Sequence, residues 1–114
     1  MSIREQMRKG TTTVILLNLL ADLDRPMYGY EIIQELEARS QGYFQFKEGL
    51  IYPRLHELER QGYLRSEWRG EEGTRRRKFY TITDAGRHRR EKELQGWETF
   101  SQHVDQLLGV ESGS

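Results

Sequence analysis

The stretch KEGLIYPRLHELERQGYL, residues 47–64, decides how the rest of the chain is read. Ile51, Leu55, Leu58 and Gly62 are spaced by four, three and four residues, which sets them on one stripe of an α-helix. Gly49, Tyr52, Pro53, His56 and Arg60 fall on the opposite side of the same wheel. A dry aliphatic stripe backed by an aromatic ring, an imidazole and a guanidinium suits a short helix inserted into a polar groove. Pro53 requires that helix to start near Lys47 or Glu48, because a proline deeper inside clashes with the preceding turn and deletes a hydrogen bond. Gly62 fits the position just beyond the helix, where left-handed backbone is cheap for glycine. Amphipathic helices are ordinary surface elements, so the assignment turns on what surrounds this one.

Downstream, Tyr63 to Arg69 alternates as a strand does, Gly70 to Thr74 reads as a turn, and Arg75 to Ile82 reads as a second strand with a basic start. Upstream, Thr11, Thr12 and Thr13 offer an N-cap to an apolar helix running from Val14 to Leu23, and residues 1–10 read as a polar arm. That helix is apolar almost all round, so it belongs in the core or is shared with another subunit. Asp22, Asp24, Arg25 and Pro26 break it. Tyr28-Gly29-Tyr30 opens a second helix to about Ser40, with Ile32, Ile33 and Leu36 as its stripe and Glu31, Glu35 and Glu37 toward water. Tyr43, Phe44 and Phe46 form an aromatic link into the central helix. Three helices followed by a basic hairpin make a winged helix-turn-helix, a mainly α fold with a small β-hairpin.

Thr83 caps a last helix whose first half is basic and polar. Its second half carries Leu94, Trp97, Phe100, Val104, Leu107 and Leu108 at spacings of three, three, four, three and one, close to the 3.5-residue repeat of a helix packed on another helix. Dimer packing is the simpler reading of this seam. Ligand contact is the sharper one, and Trp97 is its best candidate because an indole offers a large flat face. The chain therefore reads as residues 1–82, a winged helix-turn-helix with its wing at about 64–82, and residues 83–114, a C-terminal dimerisation helix and short tail in the same unit.

Formal net charge is zero, yet residues 54–92 carry a net +5 while residues 1–53 carry −1 and residues 93–114 carry −4. Salt screens charges beyond about 8–10 Å, so a polyanion responds to the local field and neutrality does not exclude DNA. The chain has no cysteine, which excludes a disulfide scaffold, thiolate metal sites and cysteine nucleophiles and fits a reducing cytoplasm. The longest apolar run, Val14 to Ala21, is eight residues and contains Asn18, too short to span a bilayer. His56, His88 and His103 are dispersed, and neither a phosphate-binding glycine loop nor a nucleophile setting is present, so the reading is not an enzyme and needs no cofactor or metal.

These residues resemble the PadR family of winged-helix transcriptional regulators over about residues 10–108. The resemblance rests on Tyr28-Gly29-Tyr30-Glu31-Ile32, on Gly49-Leu50-Ile51-Tyr52-Pro53-Arg54-Leu55 with Leu58-Glu59 and Gly62, and on Arg76-Arg77-Lys78-Phe79-Tyr80 followed by Ile82-Thr83 and Gly86. The single helix after the wing resembles the short subgroup. The resemblance implies a homodimeric repressor on an inverted-repeat operator, with the helix around Gly49, Tyr52, Pro53 and His56 in the major groove. It also implies that the last helix of one subunit packs on the first helix of the other. In multidrug-sensing members a tryptophan of the last helix stacks on flat aromatic compounds, and Trp97 is similar to that residue. The family's usual Thr or Ser before Leu-Tyr is replaced here by Gly49-Leu50-Ile51-Tyr52.

On this reading Tyr52 and His56 contact base edges or phosphates. Arg54, Arg60 and the wing residues Arg75, Arg76, Arg77 and Lys78 fix position on phosphates, giving affinity with little sequence choice. Strand alternation would send Arg75 and Arg77 to one face and Arg76 and Lys78 to the other. Leu16, Leu20, Leu94, Trp97, Phe100, Val104, Leu107 and Leu108 are assigned to the dimer interface or to a small aromatic or phenolic effector held there. The alternative is a winged helix that mediates protein contacts without DNA binding, which would show little salt dependence.

Overall fold

The computed structural model describes residues 3–71 and 73–110. The first helix, α1, spans Ile3–Leu23 and is the longest apolar element of the core. It starts eight residues before the expected threonine cap. Thr11, Thr12 and Thr13 lie inside it and Thr12 is buried, because the preceding Arg, Glu, Gln, Met and Lys residues are good helix formers that carry the helix through Gly10. The polar arm is thus helical from Ile3, and residues 1 and 2 lie outside the described residues. Asp24, with φ 49°, ends α1 and donates its N–H to the Leu20 carbonyl at 3.1 Å.

A two-residue strand, β1 (Met27–Tyr28), leads into α2 (Gly29–Arg39). The central helix α3 runs Glu48–Arg60 with Lys47 as its N-cap, as Pro53 demanded. At the sixth position Pro53 still deletes the bond to the Gly49 carbonyl, but Gly49 is exposed, where water serves instead. Gly62 takes φ 85°. The Tyr63 N–H reaches the Leu58 carbonyl at 2.9 Å and the Gly62 N–H reaches Glu59 at 3.0 Å, a Schellman ending. Gly62 therefore sits past the helix rather than on its buried stripe.

The hairpin strands are β2 (Leu64–Arg69) and β3 (Arg77–Ile82), paired antiparallel from Leu64↔Ile82 to Arg69↔Arg77. The second strand begins at Arg77, two residues later than expected. β1 adds to the other edge of β3 through Met27↔Tyr80 and Tyr28↔Phe79, giving a three-stranded sheet in the order β1-β3-β2. A strand this short has no alternation to read. Its pairing with β3, more than fifty positions downstream, creates it.

Leu16, Leu17, Leu19 and Leu20 of α1 pack on Ile32 and Leu36 of α2, on Ile51, Leu55 and Leu58 of α3, and on Leu64, Tyr80 and Ile82 of the sheet. Each such side chain contributes about 1.5–3 kcal/mol relative to exposure. Leu16 and Leu20, expected at a dimer or effector interface, are fully buried inside the chain's own core. With nearly every face apolar, α1 serves as the hub on which the other elements pack, and that use leaves no surface at these two positions.

The last helix, α4, spans Asp84–Leu108, and its only fully buried residue is Gly86. Its first half is clamped: Thr83 Oγ1 accepts the Gly86 N–H at 3.0 Å and donates to the Gly62 carbonyl at 2.7 Å. Arg90 donates to Asn18 Oδ1 on α1 at 2.8 and 3.0 Å, and Arg87 pairs with Asp24. The second half projects, and the chain measures 58 × 30 × 29 Å. Gly109 at φ 72° closes the helix; the tail at 111–114 lies outside the described residues.

A Cβ at Gly86 would stand 2.1 Å from the Tyr63 carbonyl oxygen and 2.8 Å from Ile82 Cγ1, whereas one at Gly96 meets nothing within 4 Å. Gly86→Ala is expected to destabilise the protein by about 1–3 kcal/mol through overpacking. Gly96→Ala, inside a helix, is expected to stabilise it by about 0.5–1 kcal/mol. Thermal and urea unfolding of the two variants check the opposite signs.

Candidate nucleic-acid interface

Burial sorts the faces of α3. Ile51, Leu55 and Leu58 are buried, and Gly49, Pro53, His56 and Arg60 are exposed. The outward face is thus a small, flat surface carrying one imidazole and one guanidinium. The two remaining predicted residues sit on the flanks. Tyr52 is half-buried and leans on α2, where a Cβ at Gly29 would lie 2.1 Å from its ring. That close approach is why the Tyr-Gly-Tyr opening of α2 needs its glycine. Burial holds the Tyr52 hydroxyl above its usual range, and the nearby Glu48 carboxylate adds to the shift while Arg75 opposes it. Arg54, expected on phosphates, lies on the other flank, in a cleft whose lining includes residues of α1 and α4.

The four basic residues of the wing divide unequally. Arg77 lies over the Tyr28 ring, 4.6 Å from its centroid. Lys78 is turned inward: its Nζ is 2.8 Å from Glu59 Oε1 on α3 and 5.3 Å from the centre of the Tyr80 ring. Arg75 and Arg76 precede the strand and are exposed, so strand alternation does not govern them. Arg60 is exposed but bonded to Glu57 through Nε and Nη2 at 3.0 and 2.5 Å. Of the ten residues expected to touch DNA, the exposed set is therefore Gly49, Pro53, His56, Arg60, Arg75, Arg76 and Arg77, with Tyr52 at its edge. Lys78 is drawn onto Glu59, and Arg54 borders a separate cleft on the other flank.

A cleft of about 530 Å³ separates the wing from α3, lined by Tyr52 and His56 on the helix side and by Arg75, Arg76 and Trp68 on the wing side. Trp68 was not expected here. It is 64% exposed, opposite Lys78 in the sheet, and an indole on such a surface offers a stacking or sugar-packing face. The signal was available: a tryptophan at a strand position flanked by Glu67 and Arg69 has no core to enter. Ser66 and Lys78 both bond Glu59, tying β2, β3 and α3 together. This triad sets the width of the cleft.

A model of the PadR-like transcriptional regulator family matches residues 16–92. The chain belongs to that family. A solved transcriptional regulator from Clostridium thermocellum is 30% identical, with a TM-score of 0.78, covering 90% of this chain and 96% of that one. A PadR family transcriptional regulator from Eggerthella lenta is 28% identical, with a TM-score of 0.75 over 96% of this chain and 91% of its own. An uncharacterized protein of Lysinibacillus sphaericus is 29% identical over 106 residues, 93% of this chain and 95% of that protein. The family and its solved members are transcriptional regulators, not enzymes, and this PadR-like chain is a DNA-binding regulator with the winged-helix fold. No described helix is long and apolar enough to cross a membrane.

The second half of α4 in this PadR-like protein carries exposed apolar groups. Trp97 and Phe100 are about two-fifths exposed, with ring centroids 6.1 Å apart, and Leu107 is 87% exposed. Trp97, Phe100 and Gly96 face Gly10, Thr11 and Val14 of α1 across a mainly apolar groove of about 270 Å³. Leu94 and Val104 are half-buried on the same helix. The seam predicted from spacing is thus a surface of the single chain.

The Glu59 carboxyl is held below its usual value of 4.5, first by its bond to Lys78 and then by Ser66, and Lys78 is held above 10.5 by Glu59. A depressed carboxyl stabilises the fold above its unfolded pKa, and that contribution is lost as pH falls through the lower folded value. A raised lysine contributes below its unfolded pKa and loses this as pH rises through the folded one. Glu59→Gln is expected to cost about 1 kcal/mol at neutral pH, with the gap to wild type closing below about pH 4.5. Urea unfolding from pH 3 to 8 measures it.

Proposed function

We propose that this regulator is a homodimeric repressor that reads an inverted-repeat operator. Residues 1–82 bind DNA and residues 83–114 dimerise, working as one unit. Each subunit places the outward face of α3 in a major groove, with half-sites about one helical turn, roughly 34 Å, apart. His56 and Tyr52 face base edges, Gly49 and Pro53 allow close approach, and Arg75 and Arg76 hold phosphates from the wing. The observation that carries the reading is the cleft: exposed cations of the wing and the imidazole of α3 border one concavity. A duplex can engage both sides together.

The exposed Leu107 and Leu108, continuous with Val104, Phe100 and Trp97, support the C-terminal seam as the subunit contact. A small aromatic or phenolic effector would enter beside Trp97 and release the operator by favouring a spacing of the two reading helices that misses the half-sites. It must therefore bind one dimer geometry better than the other.

The test is an anisotropy titration with DNA from upstream of the protein's own gene, against unrelated duplex and over a range of salt. Arg75→Ala/Arg76→Ala is expected to reduce the magnitude of the log K against log salt slope by about 3.6 for the dimer, four phosphates at about 0.9 each. Lys78→Met is expected to leave the slope unchanged, since its charge is spent on Glu59. Binding that ignores salt would overturn the DNA interface in favour of a protein-contact surface. Leu107→Asp/Leu108→Asp is expected to give a folded monomer by sedimentation and to weaken operator binding at least tenfold, because neither side chain supports the core.

A further inference from the structure

On the flank of α3 turned away from the wing lies a second cleft, of about 640 Å³, between α1, α3 and α4. Arg54 and Arg89 line it together with Glu57, Glu93 and Tyr63. Two observations mark it. Arg54 is half-buried and has no hydrogen-bond or ion-pair partner among the described residues, and its Nε is closed to solvent. The Arg89 Nε is likewise buried without an acceptor.

The neighbouring carboxylates do not serve Arg54. Glu93 accepts from Arg89 Nη2 at 2.6 Å, and both oxygens of Glu57 are bonded to Arg60. Among the described residues the lining is balanced, Arg54 and Arg89 against Glu57 and Glu93, but Glu93 is bonded to Arg89 and Glu57 to Arg60, which leaves Arg54 without a carboxylate. Among the described residues Arg65, Arg75 and Arg76 also lack hydrogen-bond or ion-pair partners, but they are exposed and water solvates them. An Nε–H closed to solvent without an acceptor bears a desolvation cost that an anion drawing the side chain into the cleft would offset. Tyr63, whose ring lies 5.6 Å from the Arg89 guanidinium carbon, supports Arg89 in place.

We propose that this cleft is an oxyanion site, taking a carboxylate or phosphate group, with Arg54 as principal donor and Arg89 as second. The fork of a guanidinium matches either group with paired hydrogen bonds. The proposal goes beyond the repressor reading, because its donors Arg54 and Arg89 lie on the flank of α3 and on α4, although Pro53 of the outward face borders the cleft. Its place matters for regulation: Arg54 belongs to the reading helix and Arg89 to the helix that leads to the dimer seam. An anion held by both would brace one against the other.

The full chain, labelled with ¹⁵N, is titrated with sodium acetate and separately with sodium phosphate at constant ionic strength set by sodium chloride. The arginine Nε–H resonances are followed by NMR. Saturable shifts at Arg54 and Arg89 are expected with at least one of the two anions, and which one saturates identifies the group recognised. Arg54→Gln is expected to weaken the affinity about tenfold or more, Arg54→Lys to weaken it less, and the exposed control Arg65→Gln to leave it unchanged. Retained backbone dispersion in the spectrum reports that each variant is folded. Absence of saturation with both anions overturns the proposal. So do shifts confined to Arg75 and Arg76, or equal affinity in Arg54→Gln. None of these results bears on operator binding, which is measured separately.

Discussion

The carbonyl of Tyr63 is the joint on which the arrangement of the molecule depends. It accepts the Thr83 N–H at 3.1 Å, and Gly86 presses against it so closely that no Cβ fits. One residue earlier, Gly62 ends α3 in left-handed geometry and its carbonyl takes the Thr83 hydroxyl. Helix α3, both long strands of the wing and the start of α4 are thus tied at one knot of hydrogen bonds. Buried backbone groups must find partners, and here Thr83, between β3 and α4, serves the carbonyls of both Gly62 and Tyr63 at the end of α3. The angle between helix and wing, and the direction in which α4 leaves, follow from satisfying these few groups at once.

A second constraint is how the positive charge is spent. The region 54–92 holds a net +5, but little of it is available to a polyanion. Lys78 is bonded to Glu59, Arg60 to Glu57, Arg87 to Asp24 and Arg90 to Asn18, while Arg77 lies on Tyr28. These contacts hold the wing and α4 in place. Among the described residues at the cleft, Arg75 and Arg76 remain exposed without a hydrogen-bond or ion-pair partner, beside Trp68 and opposite His56. The charge run is therefore partly a structural device, with Lys78 and Arg77 anchoring the strand that presents the two arginines ahead of them.

The third feature is the division of α4. Its first half is bound to α1 and to the knot at Tyr63, with hardly any apolar burial, so polar and backbone contacts position it. Its second half carries an apolar surface, with Trp97 and Phe100 partly exposed and Leu107 and Leu108 largely so. Leaving Leu107 and Leu108 in water forfeits about 1.5–3 kcal/mol each relative to burial. An association that covers this surface recovers that energy without altering the winged helix.

Local patterns were legible in the sequence wherever the physics is local. The stripe of Ile51, Leu55 and Leu58, the start of α3 forced by Pro53, the Gly62 ending, the Thr83 cap and the exposed seam around Trp97 all follow from helix periodicity and capping. The family motif lay in the same residues. The tertiary structure decided whatever depends on a partner distant in the chain. β1 exists only through Tyr80 and Phe79; Leu16 and Leu20 are interior because α2, α3 and the sheet pack over that part of α1. Lys78 turns inward because Glu59 waits on α3, and Arg54 faces α1 and α4 because the core stripe leaves it on that flank. A wheel or an alternation places a side chain on a face of its own element. Only the packing of elements determines what that face meets.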